Sequence, residues 1–181
     1  AKDDTEQSAY LIATSEIGPD DGLALLELTL AHGADLTSLD SYQGTGLIRA
    51  ADRGFVAIVD RLLAAGIAVD HVNRLGWTAL LEAVILGDGS ERYQQVVRSL
   101  LEAGADPNLG DANGVRPVQH ARERGLYVWL VRCMYDAPQA VFAQLAFVVA
   151  RDAGERARQP LREQAAFARA GHVAVVVREL A

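Results

Sequence analysis

Thr45 and Thr78 stand 33 residues apart, and the residues after them match in step: Leu47 with Leu80, Ala50 with Ala83, Gly54 with Gly87. Gly33 and Gly66 mark the same interval in another register. Within Thr45–Asp70 the pattern predicts two short helices placed back to back. Thr45 is suited to cap the first, because its hydroxyl can accept an unpaired backbone N–H. Leu47, Ala50 and Ala51 then share one face, with Arg49, Asp52 and Arg53 on the other. Gly54 permits the left-handed backbone that ends a helix. A second helix begins near Phe55, carries Val56, Val59, Leu62 and Leu63, and stops at Gly66. Each helix is short and has a single apolar stripe, so the unit needs a copy of itself on either side to bury it.

The next copy runs from Thr78 (TALLEAVILGD) into Val96 (VVRSLLEAGADPN). Small alanines on the inner helix, a V-V-x-x-L-L outer helix and a closing G-A-D resemble the ankyrin repeat, whose period is the same and whose signature is T-P-L-H-x-A. The resemblance implies an all-α solenoid of helix-turn-helix units joined by hairpin-like fingers. About four repeats are expected within residues 1–134, at 8–35, 45–70, 78–108 and 116–134, followed by a helical extension or divergent capping repeat over 135–181.

In the first unit, Ser8 stands where Thr45 does and Ala13 where Ala50 does; residues 18–22 are expected to turn, and Leu25, Leu26, Leu28 and Leu30 are core candidates. Asp40, Asn73 and Asp111 each lie five residues before an inner-helix cap, where short polar side chains can fold back on the backbone. Gly76 and Gly114 supply permissive dihedrals two residues before their helices; Gln43 takes that place in the second repeat, so its finger tip is expected to differ. Gly66 to Gly104 spans 38 residues, and the five extra fall around Gly87–Arg92, where an inserted loop is expected. In the fourth unit Arg116 replaces the threonine and Pro117 suits the first helical turn. In the tail, residues 166–180 (AFARAGHVAVVVREL) resemble the family's A-x-x-G-H-x-x-V-V run and suggest a closing cap, the alternative being a partner-binding extension.

Half the residues are hydrophobic, enough for a core. Seventeen basic residues against 24 acidic ones give a net charge of −7, which argues against nucleic acid as the main partner. The single cysteine, Cys133, excludes an internal disulfide framework; it takes the place that Leu62 holds in the Thr45 unit and is expected to be a buried small hydrophobe. No run reaches the roughly 18 apolar residues of a membrane span. A cytoplasmic location is the expectation, with an export segment removed before Ala1 left open.

Catalytic signatures are missing. His32, His71, His120 and His172 show no i, i+4 pairing and no H-E-x-x-H. There is no G-x-S-x-G elbow, Walker loop or dinucleotide fingerprint. Asp35, Asp70 and Asp106 recur in one register, which argues for structure rather than chemistry. No cofactor and no metal are expected. By resemblance, the fingers and inner helices line a concave partner surface. Its finger candidates are Ser41, Tyr42, Arg74, Leu75, Trp77, Ala112 and Asn113. Its inner-helix candidates are Arg49, Asp52, Arg53, Glu82, Ile85, Leu86, His120, Glu123 and Arg124. Against partner contact stands the reading that Trp77 stacks on a neighbouring finger and the inserted loop covers Ile85 and Leu86. The expected function is non-enzymatic protein–protein recognition. The rivals are a ligand or enzymatic pocket where the 87–92 loop or the tail meets the array, near Asp88 or His120, and a self-assembly unit.

Overall fold

Hydroxyl caps set the inner helices. Ser8, Thr45 and Thr78 each accept a backbone N–H from three residues ahead, at 3.2, 3.4 and 3.2 Å. In this computed structural model, which describes residues 8–135 together with 151 and 154, they open α1 (Ala9–Ser15), α3 (Gly46–Arg53) and α5 (Ala79–Leu86). Arg116 cannot cap in this way. Gln119 instead reaches back and accepts the Arg116 backbone N–H at 2.8 Å, opening α7 (Pro117–Glu123). Between them lie the outer helices α2 (Pro19–Ala31), α4 (Val56–Ala64), α6 (Glu91–Glu102) and α8 (Tyr127–Tyr135). Every regular element among the described residues is α-helical, and the fold is an ankyrin-type solenoid.

The helices form two layers. In the inner layer α1 packs on α3, α3 on α5 and α5 on α7; in the outer layer α2 packs on α4, α4 on α6 and α6 on α8. Equivalent residues meet equivalent surroundings. Leu47, Leu80 and Val118 are buried, as are Ala50, Ala83 and Ala121, and Tyr10 and Ala13 hold the corresponding places in α1. Alanine recurs because neighbouring inner helices pass too close for anything larger. Cys133 is buried among α8's apolar residues, as expected.

Three expectations about the helices and the insertion are corrected. Residues 18–22 are not a free turn: Pro19 takes the first helical position behind Gly18, so α2 starts four residues before Leu23. Leu28 is not core. It is 57% exposed, because Leu26 points inward and a residue two places on lies on the far side of the helix. The insertion is only partly a loop. α6 has 12 residues against nine in α4, so three of the five extra residues lengthen the helix. Gly87 accordingly departs from Gly54: it is extended (φ −61°, ψ 147°), where Gly54 is left-handed (φ 67°, ψ 32°). The longer α6 delivers Tyr93 into the core, and its hydroxyl donates to the Asp52 carbonyl at 2.7 Å. Arg124 crosses from the next repeat to donate to the Val84 and Gly87 carbonyls at 2.9 and 2.8 Å. The insertion is therefore tied from both sides. The helical cap or extension expected over 135–181 lies outside the described residues, save for Tyr135, the last residue of α8, and for 151 and 154.

The second finger does not differ from the others. In each, the Asx residue at the base accepts backbone N–H groups from two and four residues ahead: Asp40 from Tyr42 and Gly44, Asn73 from Leu75 and Trp77, Asp111 from Asn113 and Val115. The tip residue is left-handed every time, whether Gly76 (φ 81°), Gly114 (φ 77°) or Gln43 (φ 59°). A side chain in that region costs about 1–2 kcal/mol. Replacing Gln43 with glycine is therefore expected to stabilise the chain by about 0.5–1 kcal/mol, after allowing for the greater freedom glycine brings to the unfolded state. Urea unfolding of Gln43→Gly against the parent chain measures the difference.

Candidate functional site

The same Asx residues do a second job. Each uses its remaining polar atom to hold the inner helix nine residues on, always at the fourth residue past the cap. Asp40 Oδ2 accepts from Arg49 at 2.9 Å, Asn73 Nδ2 donates to Glu82 Oε1 at 2.9 Å, and Asp111 Oδ2 sits 3.0 Å from His120 Nε2. The partners are matched in chemistry: acid with guanidinium, amide with carboxylate, acid with imidazole. The fingers also hold one another. Arg74 N–H donates to the Tyr42 carbonyl at 2.8 Å, and His71 Nε2 lies 2.8 Å from the Gln43 carbonyl. Gly76 backs directly onto the Ala112 backbone of the next finger.

Fixed in this way, the second and third fingers and helices α3 and α5 enclose a groove of about 310 Å³. Eight of the sequence candidates line it: Tyr42, Leu75 and Trp77 from the fingers, Arg49, Asp52 and Arg53 from α3, Glu82 and Leu86 from α5. Tyr42 is 60% exposed, Leu75 49% and Leu86 46%. The inserted loop thus leaves Leu86 open, while Ile85 is half-buried. The other eight candidates lie outside the groove lining. Arg74 and Asn113 are exposed on their fingers, His120 is held by Asp111, Arg124 caps carbonyls of α5, and Ile85 sits to one side. Ser41, Ala112 and Glu123 are exposed and also lie outside it.

One groove residue, Glu16, escapes the residue pattern alone, and one candidate, Glu82, proves far more buried than expected. Glu16, just past α1, ion-pairs with Arg49 at 2.8 Å. Arg49 thereby bridges Glu16 and Asp40 across the first two repeats. Glu82 was expected at the surface and is instead 95% buried, since its relative exposure is 5%. Its one polar partner among the described residues is Asn73. Burial, reinforced by the like charges of Asp52 and Asp40 and opposed by the Asn73 hydrogen bond, pushes its carboxyl up to about 7. Asp111 moves the other way: the Val115 and Asn113 amides and His120 outweigh its burial and hold it below the usual carboxylate range. The histidines of the described residues all serve backbone or finger, His32 through the Leu28 carbonyl at 2.8 Å. Among the described residues no group of three His, Cys, Asp or Glu side chains gathers as a metal would require.

With this geometry in view, comparison with known proteins decides the family. The family described as ankyrin repeats (3 copies) matches residues 11–135, more than half of the chain. The chain belongs to the ankyrin-repeat family. It is 44% identical over 106 residues to the ankyrin repeat protein YahD of Escherichia coli K12, a match covering 58% of this chain and 53% of YahD. It is 48% identical over 71 residues to the mitochondrial disaggregase of Bos taurus, covering 39% of this chain and 10% of that protein. The chain thus spans about half of one relative and a tenth of the other. An ankyrin repeat domain from Acinetobacter baumannii AYE superposes with a TM-score of 0.67 at 52% identity, over 74% of this chain and 67% of that one. The ankyrin repeat protein EF0377 gives the same TM-score at 32% identity, over 76% and 67%. Ankyrin repeats are a protein-interaction fold, generally without catalysis. No helix among the described residues is long and apolar enough to cross a membrane.

Glu82 gives a stability test. The unfolded chain releases this proton near 4.5, the folded chain near 7. Between those values the folded state holds more protons, so stability falls as pH rises through the window and is lowest, for this group, above 7. At about 1.4 kcal/mol per unit the cost at alkaline pH is on the order of 3 kcal/mol. Glu82→Gln keeps an acceptor for Asn73 and removes the charge. Denaturation at pH values on either side of the window should show the variant gaining on the parent as pH rises, with no gain at the acid end.

Proposed function

We propose that the chain is a non-catalytic recognition module that grips another protein in the groove between its fingers and inner helices. The observation that carries this is the contrast between a repeated frame and unrepeated contact groups. The Asx brackets and buried Leu/Val and alanine positions recur from unit to unit, whereas Tyr42, Leu75 and Leu86 are large, apolar, exposed and gathered at one groove. Exposed aromatic and aliphatic side chains beside a rigid backbone are the kind that dominate interface energies. The groups that could have been chemical are occupied in holding the frame: His120 and Asp111 clamp each other, and Asp88 accepts the Ser90 N–H inside its own loop.

Replacing Tyr42, Leu75 and Leu86 together by serine should leave unfolding nearly unchanged, since all three are already solvated. It should strip the partner from the immobilised chain when host lysate is passed over it and bound proteins are read by mass spectrometry. Leu28→Ser with Val128→Ser, exposed positions on the outer helices, should retain that partner. An identical captured set from the groove variant would overturn the assignment of this surface.

A further inference from the structure

The groove holds one feature that a scaffold alone does not need. Glu82 is a residue more than nine-tenths buried, lining the groove, with Oε1 taken by Asn73 and, among the described residues, no hydrogen-bond partner on Oε2. The other charged groups around the groove are largely accounted for. Arg49 is spent on Asp40 and Glu16, and Arg53 lies 3.7 Å from Asp52. From α7, packed on the other side of α5, His120 is turned to Asp111 and Arg124 to the α5 carbonyls. None of these cations reaches Glu82. Four acids and two arginines line the groove, so its balance is negative, as is that of the chain. Leu86 follows Glu82 by one helical turn on the same face, and Trp77 rises from the finger base beside Asn73.

We infer that the groove takes a lysine or arginine side chain of the protein partner, its cation on Glu82 Oε2 and its aliphatic stem along Leu86 and Trp77. This rests on the concave-face reading above and adds the chemistry it selects. A cation is what the site lacks on three counts. It would supply the missing partner to a desolvated carboxylate, relieve the repulsion from Asp52 and Asp40, and lay its methylenes on apolar surface already present. An acidic or phosphorylated side chain would meet the opposite field. Binding is linked to loss of the Glu82 proton, so affinity should rise with pH through neutrality.

A random linear peptide library displayed on phage, panned on the full chain at mildly alkaline pH, tests this. The selected peptides should share one Lys or Arg. Changing that residue to norleucine should weaken binding at least about tenfold, and Glu82→Gln should do the same, with little further loss when both changes are combined. Parent affinity should fall by a similar factor on acidification to about pH 5, and the Glu82→Gln chain should not follow it. Peptides that perturb the Trp77 indole signal in NMR but share no basic residue, or ignore Glu82→Gln, would overturn the inference and leave the recognition surface standing. Peptides that bind without touching the Tyr42, Leu75 and Trp77 signals, or a library that yields no binder, would overturn both. Spermidine or free arginine binding as tightly as the selected peptides would also overturn it, by making the groove a small-cation receptor.

Discussion

One short side chain in each of three successive repeats holds the concave side of this molecule together. Asp40, Asn73 and Asp111 each fold a finger by accepting two backbone N–H groups, and each then fastens that finger to its own inner helix. Without such a side chain the finger would be a loop with unpaired backbone, and every such group withdrawn from water costs free energy. With it, the finger leaves the helices at one fixed angle. The fingers can then stack on one another, as the Arg74–Tyr42 backbone bond and the Gly76–Ala112 approach require.

The groove follows from that rigidity. Its walls are backbone-anchored, so Tyr42, Leu75 and Leu86 can stay exposed without collapsing onto each other. The inserted turn of α6 serves the same end from behind. Tyr93 fills the space over Gly87 and ties α6 to the end of α3, while Arg124 closes the exposed carbonyls of α5. The residue that bears the cost is Glu82. Its carboxyl is drawn out of water at the bracket, where an amide rather than a cation meets it. A lone buried carboxylate is destabilising, and such groups persist where a binding partner can supply what the fold does not.

Much of the frame could be read from residue spacing. Helix pairs, caps at Thr45 and Thr78, the inner alanines and the Asx turns are local patterns, each written within a few residues, and repetition multiplies the signal. Leu28 and the start of α2 could not be read in this way. The first unit diverges from the repeat pattern, and Pro19 reads equally as turn or helix start. Gln43 also hides its role, since a left-handed glutamine is indistinguishable in sequence from an ordinary one. The bracket partners were legible but easily passed over: Asp with Arg, Asn with Glu and Asp with His stand nine residues apart in the second, third and fourth units, each a complementary donor–acceptor pair.

What residue order alone determines here is the unit: its period, its caps, its turn at each finger base and the stripe each helix must hide. These are set by neighbours along the chain, within reach of a few backbone bonds. Only the stacked structure decides which polar residues lose their water. Glu82 occupies the same place in its repeat as the solvated-looking Arg49 and His120. It is buried once α3 and α5 are stacked, and there that burial, together with Asp52 and Asp40 from the preceding repeat, raises its proton affinity. Desolvation and like-charge repulsion depend on through-space distance, and that distance exists only once the repeats have packed.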